Sequence, residues 1–112
     1  MNQMSCYEVM KSQLEVKNRG GILEAIELEG FYLAHAGELI GIFSDKEGAL
    51  NHMHNMKLFY AYDEERLSGT CEMLTLRETT MQVGCKVVNY IYLSSINGLA
   101  RMAEELELEF YE

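Results

Sequence analysis

No proline and no tryptophan occur among the 112 residues, cysteine is limited to three, and positive charge is limited to nine Lys and Arg. Without proline, and with no serine-rich or glycine-rich stretch, nothing marks a linker, so the chain reads as a single domain, 1–112. Three widely spaced cysteines, Cys6, Cys71 and Cys85, cannot all pair within the chain. Reduced thiols, packed as small hydrophobes, are the simpler expectation. Apolar runs such as 31–34 and 39–43 are far below the ~20 residues needed to span a bilayer as a helix. The first twenty residues contain Glu8 and Glu15 and no continuous apolar block, so no secretory signal is expected. A cytoplasmic protein that avoids membranes is the resulting expectation.

Scarce positive charge has a further consequence. Against nine basic residues stand 18 acidic ones, a net charge of −9, and the basic residues form no stripe or basic-aromatic platform. Such a surface repels phosphate backbones, which disfavours direct binding of nucleic acid or of an anionic membrane. The acidic residues do cluster. Glu104, Glu105, Glu107, Glu109 and Glu112 crowd the end of the chain, and Glu24, Glu27 and Glu29 dress an early segment. A negative face of this kind can be steered onto a basic groove of another protein, although acidity also serves plain solubility.

The apolar content, 48%, is sufficient for a core, and its spacing predicts the elements. Residues 22–34 and 39–43 read as strands joined by a turn at His35-Ala36-Gly37-Glu38, with Glu27 and Glu29 alternating against Ile26 and Leu28. Ser44-Asp45-Lys46-Glu47 reads as a capping box opening a helix over 45–56, with Ala49, Leu50, Met53 and Met56 on its apolar stripe. A short strand at 58–62 precedes a polar loop at 63–69. Strands are then predicted over 71–77 and 81–93, the latter placed centrally because 87–93 is apolar on both alternating sets. Ser94 and Ser95 read as caps of a second helix over 96–106, and Leu108 and Phe110 alternate with glutamates in an exposed edge strand. The expected fold is α+β, a two-layer antiparallel sheet with two helices on one face. An offset of 50 residues lays Ser44 on Ser94, Gly48 on Gly98 and Leu58 on Leu108. The matching order of elements suggests a duplicated β-β-α-β unit, about 22–62 and 71–111.

Signatures of catalysis are missing. His52 and His54 are two apart in a predicted helix, about 200° of rotation, so they cannot share one ion, and no CxxC or calcium loop accompanies them. There is no GxSxG, no GxGxxG and no Walker sequence, and Gly20-Gly21 does not lead from a strand into a phosphate-binding helix. No catalytic residue, metal or cofactor is therefore assigned.

These readings converge on a non-enzymatic acidic module that binds a protein partner with a basic surface. In its most concrete form it is an inhibitor or regulator of a nucleic-acid-handling protein, of the kind viruses and mobile elements deploy. Glu104, Glu105, Glu107 and Glu109 would supply charge and Tyr111 an anchor, with Glu27 and Glu29 next. Two alternatives stay open. One is a small ligand-binding or catalytic domain with a pocket between helices and sheet, using His35, Cys85 or a tyrosine. The other is a self-associating subunit, a homodimer formed through a short edge strand near Phe110.

Overall fold

The computed structural model describes residues 3–26, 37–82 and 86–111. Seven strands and two helices follow one another as β1 (Gln3–Arg19), β2 (Ile22–Ala25), β3 (Glu38–Phe43), α1 (Lys46–Asn55), β4 (Tyr60–Asp63), β5 (Ser68–Gln82), β6 (Lys86–Asn97), α2 (Gly98–Glu105) and β7 (Glu109–Tyr111). The fold is mixed α+β, as the hydrophobic spacing predicts. The chain divides into two compact units. One contains β1 as far as Lys11, with Glu38–Met56 and Leu74–Ile96. The other contains β1 from Ser12, with Lys57–Met73 and the chain from Asn97 onward. The long strands β1 and β5 contribute to both units.

β1, the longest element, was not expected, and its register explains why. Where it pairs antiparallel with β3, the register shifts between Val9 and Met10. Both of these neighbours are buried, and burial then continues through Ser12, Leu14 and Val16 while Gln13, Glu15 and Lys17 are exposed. A bulge interrupts the alternation, so Val9 and Met10 are buried side by side and the 17-residue strand shows no single period-two pattern along its length.

In the unit that holds α1, β3 pairs with β1 and β6 with β5. Ala49 and Met53 are the buried residues of α1, and Phe43 and His52 are in ring contact at 5.1 Å. The cap is one residue later than the expected Ser44. Asp45 Oδ1 accepts from the Gly48 amide at 2.6 Å, a charge-assisted bond favoured at the positive end of the helix. Glu8 and Arg77 form a half-buried ion pair at 3.2 Å, and the Arg77 guanidinium lies 4.4 Å over the Tyr90 ring. Segment 87–93, predicted to lie centrally, is described in its side chains only from Tyr90 onward. Tyr90, Ile91 and Tyr92 are 47, 46 and 36% exposed, and among the described residues β6 pairs only with β5. High β-propensity says that a segment fits a pleated surface; it does not fix that segment's rank in the sheet.

In the other unit the strand order is β4-β5-β1-β2-β7. A two-residue turn joins β1 to β2 between the paired Arg19 and Ile22, with Gly20 and Gly21 at φ +65° and +90°. These are the positive dihedrals that a tight hairpin demands and that glycine adopts without a steric cost. Leu14, Val16, Leu23, Cys71, Leu99, Met102 and Ala103 form the buried core, so α2 covers this sheet through the expected stripe. Its cap is Asn97, whose Oδ1 accepts from the Leu99 amide at 2.7 Å, in place of Ser94 or Ser95, which are still in β6. The later start brings Gly98 against the sheet, where an added Cβ would collide with the Glu72 carbonyl oxygen.

Several boundaries also shift. β5 extends across 78–80, the gap between the predicted strands 71–77 and 81–93, and Thr79 is buried there against Cys6, Sγ to Oγ1 3.0 Å. β2 ends at Ala25, and β3 takes β1 as its partner. The rest of the predicted strand 22–34, with His35 and Ala36 of its turn, lies outside the described residues, as do Glu27, Glu29 and Cys85. β7 is an exposed strand at the end of the order, as expected, and it pairs parallel with β2 through Ile22–Glu109, Leu23–Phe110 and Glu24–Tyr111.

Candidate functional site

Five of the seven residues singled out in the sequence are described, and they form one exposed stretch from the end of α2 through β7. Glu104, Glu105, Glu107 and Glu109 are all exposed, and Tyr111 is 60% exposed. The turn that joins helix to strand has a defined geometry. The Leu108 amide donates to the Ala103 carbonyl at 2.8 Å, and the Glu107 amide to the Glu104 carbonyl at 3.2 Å. This is the pair of bonds that closes a Schellman motif. Its left-handed position, normally glycine, is Glu107 at φ +56°. Leu108 then turns inward and packs against the core, anchoring the turn.

Charge placement here opposes the backbone. The carbonyl end of a helix carries partial negative charge and favours cations. α2 has no basic residue in its last turn, and Glu104, Glu105 and Glu107 stand there instead. A backbone strain and an electrostatic mismatch therefore coincide within four residues.

Glu105 differs from its neighbours because its charge is engaged. Arg101 Nε donates to Glu105 Oε1 at 3.2 Å, and Arg101 Nη1 donates to the Leu58 carbonyl at 3.2 Å, tying α2 to the segment before β4. Hydrogen bonding to Tyr60, then to Arg101, holds the Glu105 carboxyl below its ordinary range, and the same bond raises the Tyr60 phenol. Glu104, Glu107 and Glu109 have no ion-pair partner among the described residues. The Arg101–Glu105 spacing of four is legible in the sequence, whereas Tyr60 and Leu58 reach the pair only through the fold.

A cleft of about 510 Å³ lies in the same unit, lined by Glu15, Tyr62, Asp63, Arg66 and Thr70 among others, from strands, the β4–β5 turn and Ile26 just past β2, with no helix residue. It is therefore not the expected pocket between helix and sheet. His35 and Cys85, proposed for that pocket, lie outside the described residues. The Tyr62 hydroxyl accepts from Asn18 Nδ2 at 2.9 Å. Cys71 is fully buried, and desolvation pushes its thiol up to about 11, the reverse of what a nucleophile needs. His52 is half-buried against Phe43 and His54 is exposed, matching their opposite sides of α1. No group of three metal-ligating side chains occurs among the described residues, and no described helix is long and apolar enough to cross a membrane. No family model, curated protein or solved structure matches the chain.

Proposed function

We propose that the chain is a non-enzymatic, cytoplasmic binding module whose α2–β7 segment presents Glu104, Glu107 and Glu109, with Tyr111 as an anchor, to a basic surface on a protein partner. The observation that supports this reading most is the cost of the arrangement. Acidic groups occupy the negative end of α2, and a glutamate occupies a left-handed position that glycine fills more easily. An outlier of this type motivates a functional hypothesis, because folding alone would be served better by other residues. Surface charges arranged in this way accelerate encounter with an opposite charge and discriminate against acidic partners. A basic groove that handles nucleic acid is the most concrete target, which makes the module an inhibitor or regulator of that protein. Glu105 supports the segment through Arg101 and Tyr60.

The test is an affinity capture from cell lysate at low and high salt, comparing the native chain with a Glu104→Lys/Glu107→Lys/Glu109→Lys variant. Enrichment of nucleic-acid-binding proteins that is released by salt and lost in the folded variant is expected. Equal capture by both chains would sink the proposal, as would the absence of any salt-sensitive partner.

A further inference from the structure

Among the described residues, Leu67 and Glu107 adopt left-handed backbone without being glycine, and both border one small cavity. Leu67, in the β4–β5 turn, has φ +54°, and Glu107, in the α2–β7 turn, has φ +56°. The cavity, of about 260 Å³, is lined by Leu67, by Leu106 and Leu108 on either side of Glu107, and by Asn18, Tyr62 and Glu64. All of these belong to one compact unit. Its walls are fixed by hydrogen bonds. Asp63 Oδ1 accepts from the amides of Glu65 and Arg66 at 3.0 and 3.2 Å, and the Leu67 carbonyl accepts from the Asn18 amide at 2.8 Å. Asn18 Nδ2 in turn donates to the Tyr62 hydroxyl at 2.9 Å. A cavity preformed in this way costs little ordering when it is filled. The left-handed conformation is a steric outlier for a residue as bulky as leucine, and Leu67 remains 48% exposed. Glycine would make this turn at lower cost, so what leucine adds is an apolar wall that opens on solvent.

We propose, on the basis of the α2–β7 segment as a surface for a basic protein, that this cavity receives one bulky apolar side chain of that partner, flanked there by lysine or arginine. Size limits the occupant. A dry cavity of about 150 Å³ holds benzene and small-molecule sites span about 300–1,000 Å³, so 260 Å³ suits a single aromatic or long aliphatic side chain. Charge identifies what surrounds that side chain. Glu64 lines the cavity and Glu107 stands between two of its leucines, while Glu65 and Glu104 are near in the chain and also exposed. Arg66 of the same turn is offset by Asp63, 3.8 Å away. This acidic rim repels a second copy of a chain of net charge −9 and attracts a basic segment. The glutamates speed encounter, and an apolar anchor in a preformed cavity slows release.

The test uses the full chain and the synthetic peptides Lys-Arg-Trp-Arg-Lys, Lys-Arg-Ala-Arg-Lys and Ser-Gly-Trp-Gly-Ser, titrated to high concentration and followed by methyl NMR. The chain has no tryptophan, so any indole ring current on the methyls of Leu67, Leu106 and Leu108 comes from the peptide. The expected result is saturable shifts at these leucines with Lys-Arg-Trp-Arg-Lys, and binding about fivefold or more weaker for the other two peptides and for a Leu67→Gly variant. Glycine suits φ +54°, so that variant keeps the turn and every acidic residue. Equal affinity of the two basic peptides, with no effect of Leu67→Gly, overturns the cavity as an anchor site and leaves the acidic surface standing. Equal binding of Ser-Gly-Trp-Gly-Ser overturns the basic partner for this cavity. An absence of saturable shifts with every peptide overturns the proposal as well, and capture by the native chain against the triple lysine variant then decides the acidic surface separately.

Discussion

Replacing Glu107 with glycine should stabilise the protein while weakening its proposed contact. The φ of +56° places Glu107 in the left-handed region, which costs an L residue with a Cβ about 1–2 kcal/mol. Glycine removes that cost but adds unfolded-state entropy of about 0.4–1 kcal/mol. Deleting an anion at the helix carbonyl end contributes about 0.3–1 kcal/mol more. The net gain is about 1 kcal/mol, or a rise of about 4 °C in Tm for a chain of this length. Thermal and urea denaturation of the native chain, Glu107→Gly and Glu107→Gln separate the two sources. Gln keeps the backbone strain and removes only the charge, so it should recover the smaller share. A Tm for Glu107→Gly at or below that of the native chain would refute the strain argument. Equal gains from Gln and Gly would assign the whole effect to charge. On the binding side, both variants should show a shallower salt dependence of partner capture.

Asp45→Ala should cost about 1 kcal/mol in urea denaturation by removing the α1 cap, and Ser44→Ala much less; the reverse order would restore Ser44 as the cap. The Glu105 carboxyl is lowered in the fold, so its stabilisation is complete above the ordinary carboxylate range and is lost as pH falls through the lowered folded value. The Tyr60 phenol is raised, so its share is complete below the ordinary phenol range and is lost as pH rises through the raised value. Tyr60→Phe should therefore reduce the fall of Tm at both extremes, and an unchanged pH profile would count against the bond. Cys71 should resist a thiol reagent at mildly alkaline pH until the chain unfolds, and mass spectrometry showing rapid native labelling would contradict its burial.

The sequence made the helices legible because an amphipathic stripe survives small errors in boundary. Ala49 with Met53, and Leu99 with Met102 and Ala103, are buried as their spacing predicts. The caps moved by one to three residues because serine, aspartate and asparagine all cap well, and the choice among neighbours depends on where the strand before the helix ends. Asn97 caps α2 only because β6 runs through Ser94 and Ser95. β1 was hidden by its change of phase at Val9 and Met10, a feature that pairing with β3 makes visible. The exposure of Tyr90, Ile91 and Tyr92 was not legible, because an apolar run on both alternating sets reports a fit to a pleated surface and gives no measure of how each residue is covered.

The acidic cluster was legible as composition, but its meaning depends on the backbone beneath it. In the sequence, Glu104, Glu105, Glu107 and Glu109 are four equivalent charges. In the fold they occupy different energetic positions. Glu105 is satisfied by Arg101 and Tyr60, so reversing its charge would damage the docking of α2 together with any contact surface. Glu107 sits at a strained turn, and Glu104 stands at the unfavourable end of a helix dipole. A charge that stabilises its own fold needs no external explanation, whereas one held against both dipole and dihedral preference points to a role outside the fold. That distinction moves the weight of the binding hypothesis from Glu105 to Glu104, Glu107 and Glu109, and it makes stability and binding respond in opposite directions at Glu107.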